Sequence, residues 1–269
     1  MRYQRTDLSN DLRVVTHPMK ERESVALGIW IGVGGRYEQD QIKGAAHFIE
    51  HIAFKGSAKY SCKQIKELIE GVGGTLNAFT SEEQTCFYAK FPTKHLKLTF
   101  DILADIILNP QIAAKDVAKE RTVIIEEIKM YHDLPQYFVL ELLDELLWPN
   151  HPLGRNLAGT PETISAMTRE VLLNFHRQYY APGNIVIAAA GHLNHPAIVE
   201  LVQRKFRKTK PSDGPSYRKA DNAQTKPRVH LASKNIEQMH VALGMLGYDE
   251  QNNDRYILSL IRIILGGNM

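Results

Sequence analysis

The chain has 269 residues, 43% of them apolar and 23% charged, which is the composition of a soluble globular protein able to bury a sizeable core. Its 33 basic and 30 acidic residues leave a formal charge of +3, too small a balance to point to nucleic acid or an anionic membrane as partner. No apolar run approaches the ~20 residues that span a bilayer. Cys62 and Cys86 form neither a disulfide framework nor a CxxC pair, and the polar opening Met1–Asp7 has the character of neither a signal peptide nor a transit sequence. A cytoplasmic location is expected.

The opening third reads as strand, strand, helix. Leu12–Thr16 and Ser24–Val33 are rich in β-branched and aromatic residues, and turn residues separate them. Gly44–Lys55 has helical character and stops at Gly56. Ser61 is placed to cap a helix running to about Glu70, which the glycines at 71, 73 and 74 end. Thr75–Thr80 and Thr85–Phe91 read as a strand pair. After Pro92 helices dominate: Thr93–Leu108, Ala114–Tyr131, Gln136–Trp148 and Thr168–Tyr179. A strand, Asn184–Ala190, and a helix, Pro196–Phe206, follow.

Arg207–Pro227 carries three prolines, several Lys and Arg and almost no apolar residues, the composition of a linker. Beyond it, strands are expected at Arg228–Ser233 and His240–Leu246 and a helix at Asn252–Leu265. A faint internal repeat is visible. Arg13-Val14 leads to Val25-Ala26-Leu27-Gly28, and Arg228-Val229 leads to Val241-Ala242-Leu243-Gly244 at nearly the same separation. The expected organisation is a domain over 1–206, a linker over 207–227 and an incomplete second αβ domain over 228–269. Residues 228–269 are too few to bury a core of their own without disulfides, metal or a partner.

The chemistry concentrates in the first helix. At 100° per residue, His47 and His51 stand one turn apart on one face with Glu50 on the same side, while Ala45, Ile49, Ile52 and Ala53 take the opposite face. Two imidazoles at i and i+4 can share one zinc ion, and a neighbouring carboxylate can take a proton from its water. The competing reading is two surface histidines and a solvated glutamate. A catalytic zinc uses three protein ligands, so a third is needed. In the helix Ala114–Tyr131 the apolar stripe Val117, Val123, Ile124, Ile128 and Tyr131 contains Glu120 and Glu127, whereas Glu126 lies on the polar face. Buried carboxylates need a cation or strong hydrogen bonds, which makes Glu127 a candidate ligand and Glu120 a partner that orients a histidine. The alternative for both is a helix-margin glutamate paired to Lys or Arg. The two Gly-Val-Gly-Gly segments, at 32–35 and 71–74, complete no phosphate loop and read as turns.

The stretch from Gly44 to Ser57, with its inverted H-x-x-E-H, resembles the pitrilysin or insulinase-like M16 peptidases, in particular their bacterial branch similar to the mitochondrial processing peptidases. Leu76–Thr80, Glu120–Ile128, His151–Arg155 and Tyr179–Asn184 agree, and the resemblance spans essentially the whole chain. It implies an α+β fold: a mostly antiparallel sheet packed by helices, the first αβ half of a duplicated two-half peptidase, plus the start of the second half. It implies a zinc-dependent endopeptidase with His47, His51 and Glu127 on Zn2+, Glu50 as general base on zinc-bound water, and Glu120 supporting the site. It also implies that an extended peptide adds to the edge strand carrying Asn77, Ala78 and Phe79.

In that family the second half contributes an arginine and a tyrosine to the reaction. The chain stops before the segment expected to bring them, so it reads as a fragment with weak or no activity by itself. Exposed apolar surface favours a homodimer, or a partner supplying the missing half. A non-catalytic scaffold or partner subunit is the competing function, against which the intact H-x-x-E-H and both distal glutamates argue.

Overall fold

The computed structural model describes residues 3–207, 209, 216–220 and 224–267. Its six-stranded sheet runs in the order β1-β2-β6-β3-β5-β4, with β1 at Gln4–Asp7, β2 at Arg13–Pro18, β3 at Ser24–Ile31, β4 at Thr75–Thr80, β5 at Thr85–Pro92 and β6 at Ile185–Gly191. Only β2 and β6 run parallel; the other pairs are antiparallel. The fold is therefore α+β with a mostly antiparallel sheet, as expected.

Strand alternation explains the core. Successive side chains point to opposite faces, so one register selects one face. Val14, Ile187, Ile29, Phe87 and Ala78 are cross-strand partners in a row over five strands, and all five are buried. The next row, Ala189, Leu27 and Ala89, is buried as well. The helices are α1 (Ala45–Ala53), α2 (Cys62–Glu70), α3 (Leu96–Leu108), α4 (Ala114–Asp133), α5 (Pro135–Leu147), α6 (Pro161–Ala166), α7 (Arg169–Tyr179) and α8 (His195–Phe206), with α9 (Arg255–Arg262) later in the chain. Some of them, α1, α2, α3 and α8 included, pack against the sheet, and others pack on those helices.

Two elements escape a reading by periodicity. The β1 strand is four largely exposed residues, Gln-Arg-Thr-Asp, with no apolar alternation. The α6 helix has only six residues, although Pro161 and the reciprocal Thr160–Thr163 hydrogen bonds mark its start.

One expectation is corrected. Neither Arg228–Ser233 nor His240–Leu246 forms a strand; both are irregular among the described residues. A strand needs a ladder partner, and none pairs with them here. Leu231 and Leu243 are 91% and 86% exposed. The following helix is shorter than Asn252–Leu265: α9 ends at Arg262, and Ile263–Gly267 form a wider turn with Gly266 at φ 120°. Of the linker, positions 208, 210–215 and 221–223 lie outside the described residues. Residues 216–220 lie against the first domain. The Arg36 guanidinium sits 3.9 Å over the Tyr217 ring and donates to the Arg218 carbonyl at 3.1 Å.

The α1 helix is packed almost all round. Ala45, Ala46, Phe48, Ile49, Ile52 and Ala53 are buried, and the helix touches α4, α7 and β4. Burial of Phe48, Ile49 and Ile52 contributes roughly 1.5–3 kcal/mol each. Only His47, Glu50 and His51 are left partly open. The helix begins at Gly44, whose φ of 89° and 2.5 Å gap from a hypothetical Cβ to the Ala158 carbonyl oxygen require glycine.

Candidate metal centre

Helical spacing and helix packing bring three candidate ligands together. His47 and His51 lie one turn apart, their ring centroids 4.6 Å from each other. The α4 helix carries Glu127 to them. His51 Nε2 is 3.4 Å from Glu127 Oε2, and His47 Nε2 is 3.9 Å from Glu127 Oε1. One ligand atom from each of the three residues lies within 4.8 Å of the others. Ligands of a tetrahedral zinc, each about 2.1 Å from the ion, stand about 3.4 Å apart. The donor set of two imidazoles and a carboxylate therefore fits a zinc ion with small adjustments. Burial, together with the charge of His51, holds the His47 pKa down at about 4, which keeps its imidazole neutral, as a metal ligand must be.

Behind the ligands stands a second carboxylate. Glu120 is 4% exposed and uses both oxygens: Oε2 is 3.3 Å from His51 Nδ1 and Oε1 is 2.6 Å from Lys55 Nζ. An Nδ1–H donated to Glu120 leaves His51 Nε2 as a lone pair facing Glu127. The expected stripe needs correction. Val117, Ile124 and Ile128 are buried, but Val123 and Tyr131 are 48% and 37% exposed. Val123 sits 100° round the helix from Ile124. Tyr131 is in line with the stripe, but it projects at the helix end into the cleft and meets Tyr137 edge-on at 5.2 Å. Glu126 is on the polar face, paired with Lys129 at 2.7 Å. Replacing Glu120 with Gln should weaken zinc uptake about 10–100-fold, as for other partners behind a ligand. Competition with a chromophoric chelator measures this.

Glu50 does not reach into the ligand set. Its Oε2 accepts a hydrogen bond from Thr80 Oγ1 at 2.6 Å, at the end of β4. Burial raises its pKa, opposed chiefly by that hydrogen bond. Desolvation, followed by the Glu50 charge, also raises the pKa of the buried Tyr180 hydroxyl. A cleft of about 420 Å³ opens here, lined in part by His47, Glu50, Ala78, Phe79, Glu127 and Tyr131. A larger groove of about 1160 Å³ lies elsewhere, along Lys205 and the two aspartates it pairs with, Asp101 and Asp105, and none of the candidate ligands lines it.

The cleft is bounded by the edge of the sheet. β4 pairs only with β5, so its other side is free among the described residues. The outward amide of Ala78 donates to the Asn77 side-chain oxygen at 2.8 Å. Phe79 is 38% exposed on the opposite face of the sheet and meets Trp30 edge-on at 5.5 Å. The structure thus brings Glu50, His47, His51, Glu120 and Glu127 together and places Asn77–Phe79 on the adjoining edge.

Sequence reasoning missed Lys55, Thr80 and Glu38. Lys55 stands four residues after His51, and Thr80 shares a strand face with Ala78, so spacing could have flagged both. Glu38 reaches α1 from a loop. Its Oε2 accepts from Gly44 N and its Oε1 from Ala46 N, both at 2.7 Å. Burial pushes its carboxyl from the ordinary 4.5 up to about 7, against the pull of those amides and Arg155. The folded state then holds the proton more tightly than the unfolded chain does. The Glu38 contribution to stability should therefore fall as pH rises from about 4.5 to about 7, by on the order of 3 kcal/mol. The depressed His47 pKa works in the opposite sense over the same range, so the difference between wild type and Glu38→Gln isolates the Glu38 contribution: in urea unfolding of the metal-free proteins, wild type should lose more stability, or gain less, than Glu38→Gln between about pH 4.5 and 7.5.

Comparison with known proteins agrees with this geometry. Residues 13–161 match the insulinase family, Peptidase family M16, and residues 166–269 match the Peptidase M16 inactive domain. An uncharacterized zinc protease of Mycobacterium tuberculosis is 39% identical over 98% of this chain and 61% of its own length. The uncharacterized zinc protease YmxG of Bacillus subtilis is 35% identical over 97% of this chain and 63% of its own. A probable mitochondrial-processing peptidase subunit beta of Arabidopsis thaliana is 32% identical, with 97% and 50% covered. The chain thus spans about three fifths of the length of these bacterial relatives. In fold it is similar to a Helicobacter pylori protease, with a TM-score of 0.75 at 24% identity over 82% of this chain and 54% of that one. Pitrilysin gives 0.71 at 23% identity, over 79% and 23%. With more than half of its residues matched by one family and the inverted motif of its first helix seated against a distal glutamate, the chain belongs to Peptidase family M16.

Proposed function

We propose that this chain is the metal-bearing half of a zinc-dependent endopeptidase acting on peptides or unfolded polypeptide segments. One observation carries the reading: His47, His51 and Glu127 converge, while Glu50 is held apart by Thr80 at the end of an open strand edge. Zinc held by the three ligands would polarise the scissile carbonyl and lower the pKa of a water toward ~7. An extended peptide adds to β4, its carbonyl displacing the Asn77 side chain from the Ala78 amide. Glu50 takes a proton from the attacking water and delivers it to the leaving amine. Burial raises the basicity of Glu50, which suits this task.

The remaining machinery comes from a second half of the fold. The exposed apolar residues after the linker support that need, among them Val241, Leu243 and Leu265 at 76%, 86% and 75% exposed. A cytoplasmic location belongs to the same reading and is supported by the two unpaired cysteines, Cys62 and Cys86. Among the described residues no helix is long and apolar enough to cross a membrane.

The test has two parts. Elemental analysis after zinc loading and dialysis should find one zinc per chain; none would sink the metal reading and favour the scaffold. A quenched fluorescent peptide should then be cleaved when a second half is supplied, and a chelator should stop the cleavage. Zinc bound without cleavage under those conditions would refute the peptidase assignment alone.

A further inference from the structure

Resting on the zinc reading, we infer that Glu38 is a positioning residue for the metal: by fixing the first turn of α1 it sets the place of His47. The two histidines are held differently. His51 has Glu120 on its Nδ1 at 3.3 Å, so a side chain orients its ring. His47 Nδ1 is buried and has no partner among the described residues. Without a side chain on Nδ1, the backbone beneath it and the packing around it fix the ring that turns Nε2 toward Glu127 Oε1, 3.9 Å away.

That backbone is the first turn of a nine-residue helix, with His47 as its third residue. The helix has no cap of its own, because Gly44 has no side chain to offer. Glu38 supplies one from outside. Its two oxygens take the Gly44 and Ala46 amides, both at 2.7 Å, and its side chain is buried. Its own backbone is anchored: the amide donates to the Gly35 carbonyl, and the Glu38 carbonyl accepts from Arg155 Nη1 at 3.3 Å. Glu38 thus does for His47 through the main chain what Glu120 does for His51 through a side chain.

A glutamine at position 38 has one acceptor and turns an NH₂ toward an amide that needs an acceptor. The first turn should loosen and His47 should leave its place, while His51 and Glu127 stay. We expect Glu38→Gln to weaken zinc binding about 10-fold or more, within the range known for residues that orient ligands. Chelator competition reads the affinity. The visible spectrum of the cobalt-loaded protein reads ligand geometry, and it should lose intensity or shift. A cap that served stability alone would lower the melting temperature and leave both readouts unchanged, and that result overturns the inference. Should Glu38→Gln fail to fold, Glu38→Asp, which keeps the charge but cannot reach both amides, carries the same expectation. If the wild type itself takes up no zinc, the metal reading falls and this inference with it. If the wild type binds and the variants match it, only the role of Glu38 is lost.

Discussion

Replacing Glu50 with Gln should lower peptide hydrolysis by about 10²–10⁴-fold, the usual contribution of a general base, while one zinc per chain remains bound. The two halves of this expectation rest on separate contacts. Glu50 lies on the ligand side of α1, but its carboxylate is turned to Thr80, 2.6 Å away, and not to the three converging ligand atoms. Gln keeps the volume and one oxygen that can accept from Thr80, so neither packing nor the metal ligands are disturbed. What it lacks is basicity. Burial raises the pKa of Glu50, making it a better proton acceptor than an exposed carboxylate, and an amide cannot replace that. The measurement pairs an initial-rate assay, with a second half supplied, with elemental analysis of the same sample. Loss of zinc alongside activity would mean that Glu50 is a ligand. Wild-type rates would mean that the base lies elsewhere. Thr80→Val should have a smaller effect, since it removes the anchor and leaves the base.

How much of this was legible beforehand depends on the range of the interaction. His47, Glu50 and His51 were readable because helical spacing is local, and Glu120 and Glu127 because a seven-residue interval returns to the same face. The sheet strands of the core carry strong β-branched and aromatic patterns, so their existence was readable too. Partners set by tertiary packing were not. Lys55 and Glu120 are 65 positions apart, and nothing in either segment announces the 2.6 Å contact. Glu38 lies six residues before Gly44, outside the usual capping position, and reaches α1 only because the intervening loop folds back. The segments at 228–233 and 240–246 show the converse. Their local pattern is that of strands, but a ladder is a property of two segments, and no partner pairs with them here. Residues 216–220 make the same point. Their composition suggests a free linker, yet Tyr217 packs against Arg36 and Tyr37, and the Lys219 carbonyl meets His151 Nε2 at 3.2 Å.

Removing a metal ligand should have the second large effect. His51→Ala and Glu127→Ala should each weaken zinc binding by more than the ~10–100-fold expected of Glu120→Gln, because they delete a donor and not its support. Neither should unfold the chain. Small zinc domains collapse without metal because the ion is their core. Here Phe48, Ile49 and Ile52 of α1 and Val117, Ile124 and Ile128 of α4 are buried in a core that owes nothing to the ion. The ion therefore adds to a fold that already stands. At free zinc about 1,000 times its dissociation constant, that addition amounts to about 4 kcal/mol. Wild type with zinc should then melt higher than wild type with chelator, and His51→Ala should gain far less from zinc than the wild type does. A chelator-treated wild type that loses its cooperative transition would show the metal to be structural. A His51→Ala protein that gains as much stability from zinc as the wild type would remove His51 from the site. The same comparison separates the two glutamates of α4: Glu127→Ala should abolish the zinc-dependent gain, whereas Glu120→Gln should only move it to higher zinc concentration.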